Sequence, residues 1–199
     1  MNISNIIQFI NNSPYKVYGA FAGGGQHFVY NFLNEPNASK TILGFEFPYN
    51  QRAFDNFIYP YFGSPDFSYA SSEAADLLAK SSFNKGAGLG GEWGDNIIGV
   101  GVAASLATEN EREGRTHKIF VKVYQPIVDK ILSISFEDIP QNKFTRKKED
   151  EFITWTILHM INIITLKDMG IKAICLDKLE PLLKISKFTQ NSKYEGKYI

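Results

Sequence analysis

Three consecutive glycines, Gly23, Gly24 and Gly25, separate an apolar stretch from the polar pair Gln26 and His27. Glycines at a strand-to-helix turn let the backbone come close to a ligand. The free N–H groups in the first turn of the following helix favour phosphate or carboxylate. The competing reading is that the glycines only permit a tight turn and close packing of helix on sheet. If an anion binds here, Gly24→Val should weaken binding more than folding. His27 can meet a phosphate or act as a base, although a lone histidine in this position is more often a packing or surface residue. Tyr49, Arg115 and His117 complete the candidate ligand-binding set. Ser72, Ser105 and Thr108 are the candidate nucleophilic hydroxyls. Glu73, beside Ser72, is better explained by the dipole of its helix than by catalysis. Three scattered histidines and one cysteine give no H-x-H, H-E-x-x-H or C-x-x-C spacing, so neither a metal nor another cofactor is expected.

The elements that must hold these groups follow from periodicity. Ile3, Ile6, Ile7 and Ile10 mark a short amphipathic helix that stops at Ser13-Pro14. Residues 15–22 read as a strand that runs into the glycine turn, and residues 26–33 as the helix after it. Residues 41–47 give a second strand, followed by a helix with Phe54, Phe57 and Ile58 on one side. Ser71 or Ser72 caps a helix with the small apolar face Ala74, Ala75, Leu78 and Ala79, ending in glycine. Residues 86–91 formally match G-x-G-x-x-G, but they follow a helix and precede a strand, the reverse of the dinucleotide-binding order, and read as a flexible loop. Residues 97–106 suit a central strand buried on both faces, and residues 119–124 and 131–136 two further strands close enough for a hairpin. A long helix spans residues 146–169, with Phe152, Trp155 and Ile163 expected against the sheet. The fold expected is a three-layer α/β/α sandwich with a mixed, mostly parallel sheet. One domain covers residues 1–180, and a lysine-rich tail covers 181–199. In such folds ligands sit at the carboxyl ends of strands, which directs attention to residues 20–26.

The ordered succession of these motifs resembles the CinA C-terminal (nicotinamide-nucleotide amidase) family, in a divergent branch. Its parts are Gly23-Gly24-Gly25 opening a helix, Pro36-Asn37-Ala38-Ser39 closing it, Pro48-Tyr49 after a strand and Ser71-Ser72-Glu73-Ala74-Ala75 starting a helix. They continue with the small-residue run 99–108 and Gly114-Arg115-Thr116-His117. The resemblance covers roughly residues 15–170, and its specificity lies in the order of the motifs. It implies hydrolysis of the amide of nicotinamide mononucleotide by a serine near the glycine turn, a lysine after the second strand and a threonine at the end of the central strand. In this chain the serine position falls at Phe21 or Ala22, or at Gln26. The lysine position falls at Phe54 and the threonine position at Ala103. None of these side chains is a nucleophile or a proton shuttle.

The 199 residues, 44% of them hydrophobic, suffice for one sizeable core. The 21 basic and 21 acidic side chains cancel, so no overall field favours nucleic acid or an anionic membrane. The single Cys175, the lack of a signal-like first segment and the lack of a long apolar run point to a cytoplasmic protein. The partner expected is a nucleotide or other phosphate-bearing small molecule, with a second copy of the chain as the protein partner considered. The leading functional expectation is a CinA-like domain with a pyridine-nucleotide or phosphate pocket and a degenerate amidohydrolase site. Two alternatives stand beside it. One is an active deamidase rebuilt around Ser72, Ser105, Thr108, Tyr49 or His27. The other is a dimerisation or partner-binding module without enzymatic activity.

Overall fold

The computed structural model describes residues 2–62, 66–89, 96–110, 113–125, 130–165 and 169–194. The chain begins with α1 (Ile3–Asn11), β1 (Lys16–Ala22) and α2 (Gln26–Leu33). After a 3₁₀ turn at Ala38–Lys40 come β2 (Ile42–Glu46), α3 (Gln51–Ile58) and α4 (Ser72–Leu89). Then follow β3 (Ile97–Ser105), β4 (His117–Gln125), β5 (Lys130–Ile139), α5 (Arg146–Thr165), α6 (Met169–Leu183) and β6 (Lys187–Tyr194).

The strands form one mixed sheet in the order β2-β1-β3-β4-β5-β6. β1 runs parallel to both β2 and β3, while β3–β4, β4–β5 and β5–β6 are antiparallel. Helices α1, α2, α5 and α6 cover one face, and α3 and α4 the other, which makes the expected three layers. The parallel half is the half that ends in the glycine turn.

Strand alternation sorts the core. Val17 and Phe21 of β1 and Ile98, Val100 and Val102 of β3 point to the α5 side, while Tyr18, Ala20 and Ala103 point to the α4 side. On that second side β3 presents Gly99 and Gly101. A Cβ at Gly99 would overlap the Ala79 carbonyl, and one at Gly101 would overlap the Ala75 carbonyl and the Ala79 amide. The small-residue run is therefore a close approach of the α4 backbone to the strand. In β5, Asp138 adopts φ 56° at a bulge against β4. The extra residue keeps both Phe136 and Ile139 on the α5 side of the sheet.

Four helices are capped by their own flanking residues. Asn2, Asn50, Ser71 and Thr145 accept from the amides of Asn5, Ala53, Ala74 and Lys148 at 2.8–3.2 Å. Helix α5 is buried on nearly every side from Phe152 to Ile164, with the sheet on one flank and α6 on another. Trp155 is buried, and its ring lies 6.0 Å from the ammonium of Lys178 on α6.

Several boundaries differ from the sequence expectation. Helix α4 does not stop at Gly86 but continues through Gly88 to Leu89, so Gly86–Leu89 is helix rather than loop. Gly86 packs there, where a Cβ would stand 3.0 Å from Ile97 and 3.2 Å from Tyr18. Gly90 and Gly91 of the same motif lie outside the described residues. The segment taken for a lysine-rich tail is structured as far as Tyr194: Lys187–Tyr194 adds β6 to the edge of the sheet, with the Phe188 ring 5.4 Å from that of Phe136. Its alternation is largely polar because an edge strand buries little. No described helix is long and apolar enough to cross a membrane.

Candidate functional site

The site lies at the carboxyl ends of β1 and β3, and the first turns of α5 assemble it. Arg146 Nη2 donates to Gly23 O at 2.9 Å and to the Tyr49 hydroxyl at 3.3 Å, and Nη1 donates to Ala107 O at 3.3 Å. The guanidinium thus ties the end of β1 to the chain just beyond β3. Three of its five donor positions are engaged in this way among the described residues. One turn further along, Glu149 accepts from Ala107 N at 2.6 Å, and its other oxygen lies 2.6 Å from His117 Nδ1. Asp150 accepts from the amides of Gly25 and His27, the latter at 2.7 Å.

Asp150 changes the meaning of the glycine turn. Gly25, at φ 104°, opens α2 without a side-chain cap of its own, and the carboxylate that satisfies this helix start comes from α5, 125 residues away. The Gly25 and His27 N–H groups expected to meet an external anion meet an internal one. Gly24 is buried, and a Cβ on it would overlap Ile153 Cδ1 and stand 3.0 Å from Leu106 Cδ1. Gly24→Val would therefore disturb packing first, contrary to the sequence expectation. Gly23, at φ 95°, lies against the Ala104 carbonyl, so the turn serves close packing of β1 on β3.

A cavity of about 250 Å³ opens beside Gly23, lined among others by Tyr49, Tyr69, Ser105, Thr108, Arg115 and Arg146. A second cavity, of about 680 Å³, shares Tyr49, Thr108 and Arg146 and adds Lys143 and Phe144. Arg115 Nη2 donates to Ser105 Oγ at 2.9 Å, and Tyr69 donates to Asp55 at 2.9 Å. Tyr49 is 66% exposed between the two cavities. Gly23, Tyr49, Ser105, Thr108 and Arg115, singled out from the sequence, are thus brought together.

The other sequence candidates stand elsewhere. Ser72 and Glu73 line a separate groove with Asp76, Lys80 and Lys122. His117 is 1% exposed and engaged by Glu149, so it does not reach towards a ligand. His27 turns towards α5, with Nδ1 3.1 Å from Thr154 Oγ1, and Gln26 is exposed. Of the positions where the amidase residues would fall, Phe21, Phe54 and Ala103 are buried apolar core, and the Phe54 ring packs edge-on 5.1 Å from Tyr69. Sequence reasoning passed over Arg146, Glu149, Asp150 and Tyr69. One signal was available for Arg146: a run of three cations in the first turn of a helix opposes the helix dipole and calls for another partner.

The chain matches no protein-family profile and no curated protein sequence. Its fold is that of two solved CinA (competence-damaged protein) superfamily structures. The protein from Escherichia coli is 10% identical with a TM-score of 0.56, and the match covers 89% of this chain and 90% of that one. The protein from Klebsiella pneumoniae is 9% identical with a TM-score of 0.54, covering 91% and 95%. The likeness spans nearly the whole chain and establishes a CinA-like fold.

Proposed function

We propose that this CinA-like domain binds a small phosphate-bearing molecule at the carboxyl ends of β1 and β3 and lacks the side chains for amide hydrolysis. The supporting observation is the convergence of Arg115 and Arg146 on one cavity that also presents Tyr49, Ser105 and Thr108. Guanidinium groups recognise phosphate through charge-assisted, often bidentate hydrogen bonds. The second cavity, which shares Tyr49, Thr108 and Arg146 with the first, offers room for the rest of a nucleotide-sized ligand. The anion site is thereby moved from the amides of the glycine turn to the arginines beside it.

The degenerate part of the reading rests on the buried apolar side chains Phe21, Phe54 and Ala103 at the positions where the resemblance places catalytic groups, and on the partner of Ser105. Ser105 Oγ accepts from a guanidinium, which is not a base, and Thr108 Oγ1 lies 3.2 Å from Asn110 O. Neither His27 nor His117 lines this cavity or the second one, and a hydroxyl nucleophile needs a base within hydrogen-bond reach. Glu109 lines the second cavity with Thr108, so the ammonia-release assay below also decides whether that carboxylate serves as one.

Thermal-shift and calorimetric titrations with nicotinamide mononucleotide and inorganic phosphate test the binding. Ligand at about 100 times its dissociation constant should raise stability by about 2.7 kcal/mol. Arg115→Ala should weaken binding while leaving the fold intact. Ammonia release from saturating nicotinamide mononucleotide tests the degenerate site. Turnover of roughly 1 per second or more would make the protein a working enzyme. Loss of that turnover in Ser105→Ala but not in Ser72→Ala would then identify the nucleophile.

A further inference from the structure

One buried carboxylate holds both ends of the connection between β3 and β4, which carries Thr108 and Arg115. Glu149 Oε2 accepts from Ala107 N at the start of the connection, and Oε1 pairs with His117 Nδ1 where β4 begins, both at 2.6 Å. Glu149 is 0% exposed, whereas Thr108 and Arg115 between the two anchors are exposed. Glu149 stands three residues after Arg146, so the two side chains leave the same side of α5. Arg146 takes the Ala107 carbonyl and Glu149 takes the Ala107 amide. The helix that supplies one cavity arginine therefore fixes the segment that supplies the other.

Burying a carboxylate is costly unless it is paired and hydrogen-bonded, and apolar side chains would join helix to sheet at lower cost. Two short hydrogen bonds accepted by one carboxylate fix direction as well as distance, which apolar packing does not. We infer that Glu149, with His117 as its second anchor, is a positioning residue that sets Arg115 and Thr108 against Arg146. It acts without lining the cavity. The inference rests on the reading of this cavity as an anion site.

A double-mutant cycle with nicotinamide mononucleotide and inorganic phosphate as probes tests it. Glu149→Leu removes both anchors. Glu149→Gln keeps the size and the acceptor for Ala107, and its amide N–H can donate to His117 Nδ1 once the imidazole proton moves to Nε2. Glu149→Leu should lower affinity by about tenfold or more, and Glu149→Gln should recover most of the loss. In an Arg115→Ala background the Glu149→Leu effect should shrink to within about twofold, because the residue acts through that arginine. An equal loss with and without Arg115, or unchanged affinity in folded Glu149→Leu, overturns the inference. If Glu149→Leu does not fold, His117→Leu removes one anchor in its place. If the wild-type protein binds neither probe, the anion-site reading fails by itself, and amide exchange then decides the positioning role. His117→Leu should accelerate exchange at the Ala107 amide by about tenfold. Unchanged protection there rejects the role.

Discussion

Helix α4 meets β3 through backbone and small side chains, with ion pairs to β2 and β4 only at its margins, whereas α5 meets the strand ends through Arg146, Glu149 and Asp150 before continuing as a largely apolar rod. The α4 contact tolerates no Cβ at Gly99 or Gly101, and the buried Ser81 and Ser82 hydroxyls have no hydrogen-bond partner among the described residues. The first turns of α5 bind Gly23, Gly25, Ala107 and His117, drawn from three separate stretches of chain. Close packing fixes a distance without regard to orientation, whereas a set of charged hydrogen bonds fixes orientation at chosen points. The second kind of contact sits beside the cavity lined by Tyr49, Arg115 and Arg146, and the first in the body of the sheet.

If α5 were held by its polar turns alone, its apolar body would be dispensable. Trp155→Ala should instead cost about 3–5 kcal/mol in urea denaturation, as large aromatic truncations in cores do. Wild-type stability in that variant would mean that the polar turns carry the helix. On the other face, Gly101→Val should cost about 3 kcal/mol, because the overlap is with α4 backbone that cannot rotate away. A folded variant of unchanged midpoint would show that α4 can slide.

Asp150→Ala leaves the Gly25 and His27 amides without their acceptor and should cost about 2 kcal/mol, at the upper end for loss of a helix cap. If Asp150→Ala instead creates tight sulfate or phosphate binding at unchanged stability, the glycine turn is an anion site that the carboxylate normally fills. The smallest expected effect concerns His159 on the body of α5, whose pKa is lowered by burial and then by Lys172. Below the ordinary histidine value of 6.5, the unfolded chain takes up a proton that the folded chain resists. Stability present above that value should fall as the pH drops, by up to about 1.4 kcal/mol per pH unit from this group. His159→Leu should show a shallower decline between about pH 7 and 5.5. An identical slope would assign the acid sensitivity to other groups.

Much of the fold was legible because its signals are local. The isoleucine spacing of α1, the start of α2 at Gln26 and the start of α5 at Arg146 agree with the sequence reading. Gly86 and Gly88 misled because isolated glycines weaken a helix only modestly, and contact with Ile97 and Tyr18 keeps this one folded. β6 was missed because an edge strand needs no apolar alternation. Tyr49, Ser105, Thr108 and Arg115 were singled out from two separate sets of candidates, and the fold brings these four to one cavity. The roles of Glu149 and Asp150 were not legible, because a charged run at the start of a helix carries no local sign that it is buried. Their partners at Ala107 and Gly25 lie 42 and 125 positions away.

That separation has a consequence for synthesis of the chain. Arg146 and Asp150 reach back 123 and 125 residues to Gly23 and Gly25. A ribosome adds roughly 5–20 residues per second, so the glycine turn waits on the order of ten seconds for the groups that will close it. Until then α2 starts with a bare positive end, and β1 can pair only with partners already made. The contact that completes the cavity beside Gly23 is thus among the late ones available to the growing chain, and its long loop closure places it among the slow steps of folding.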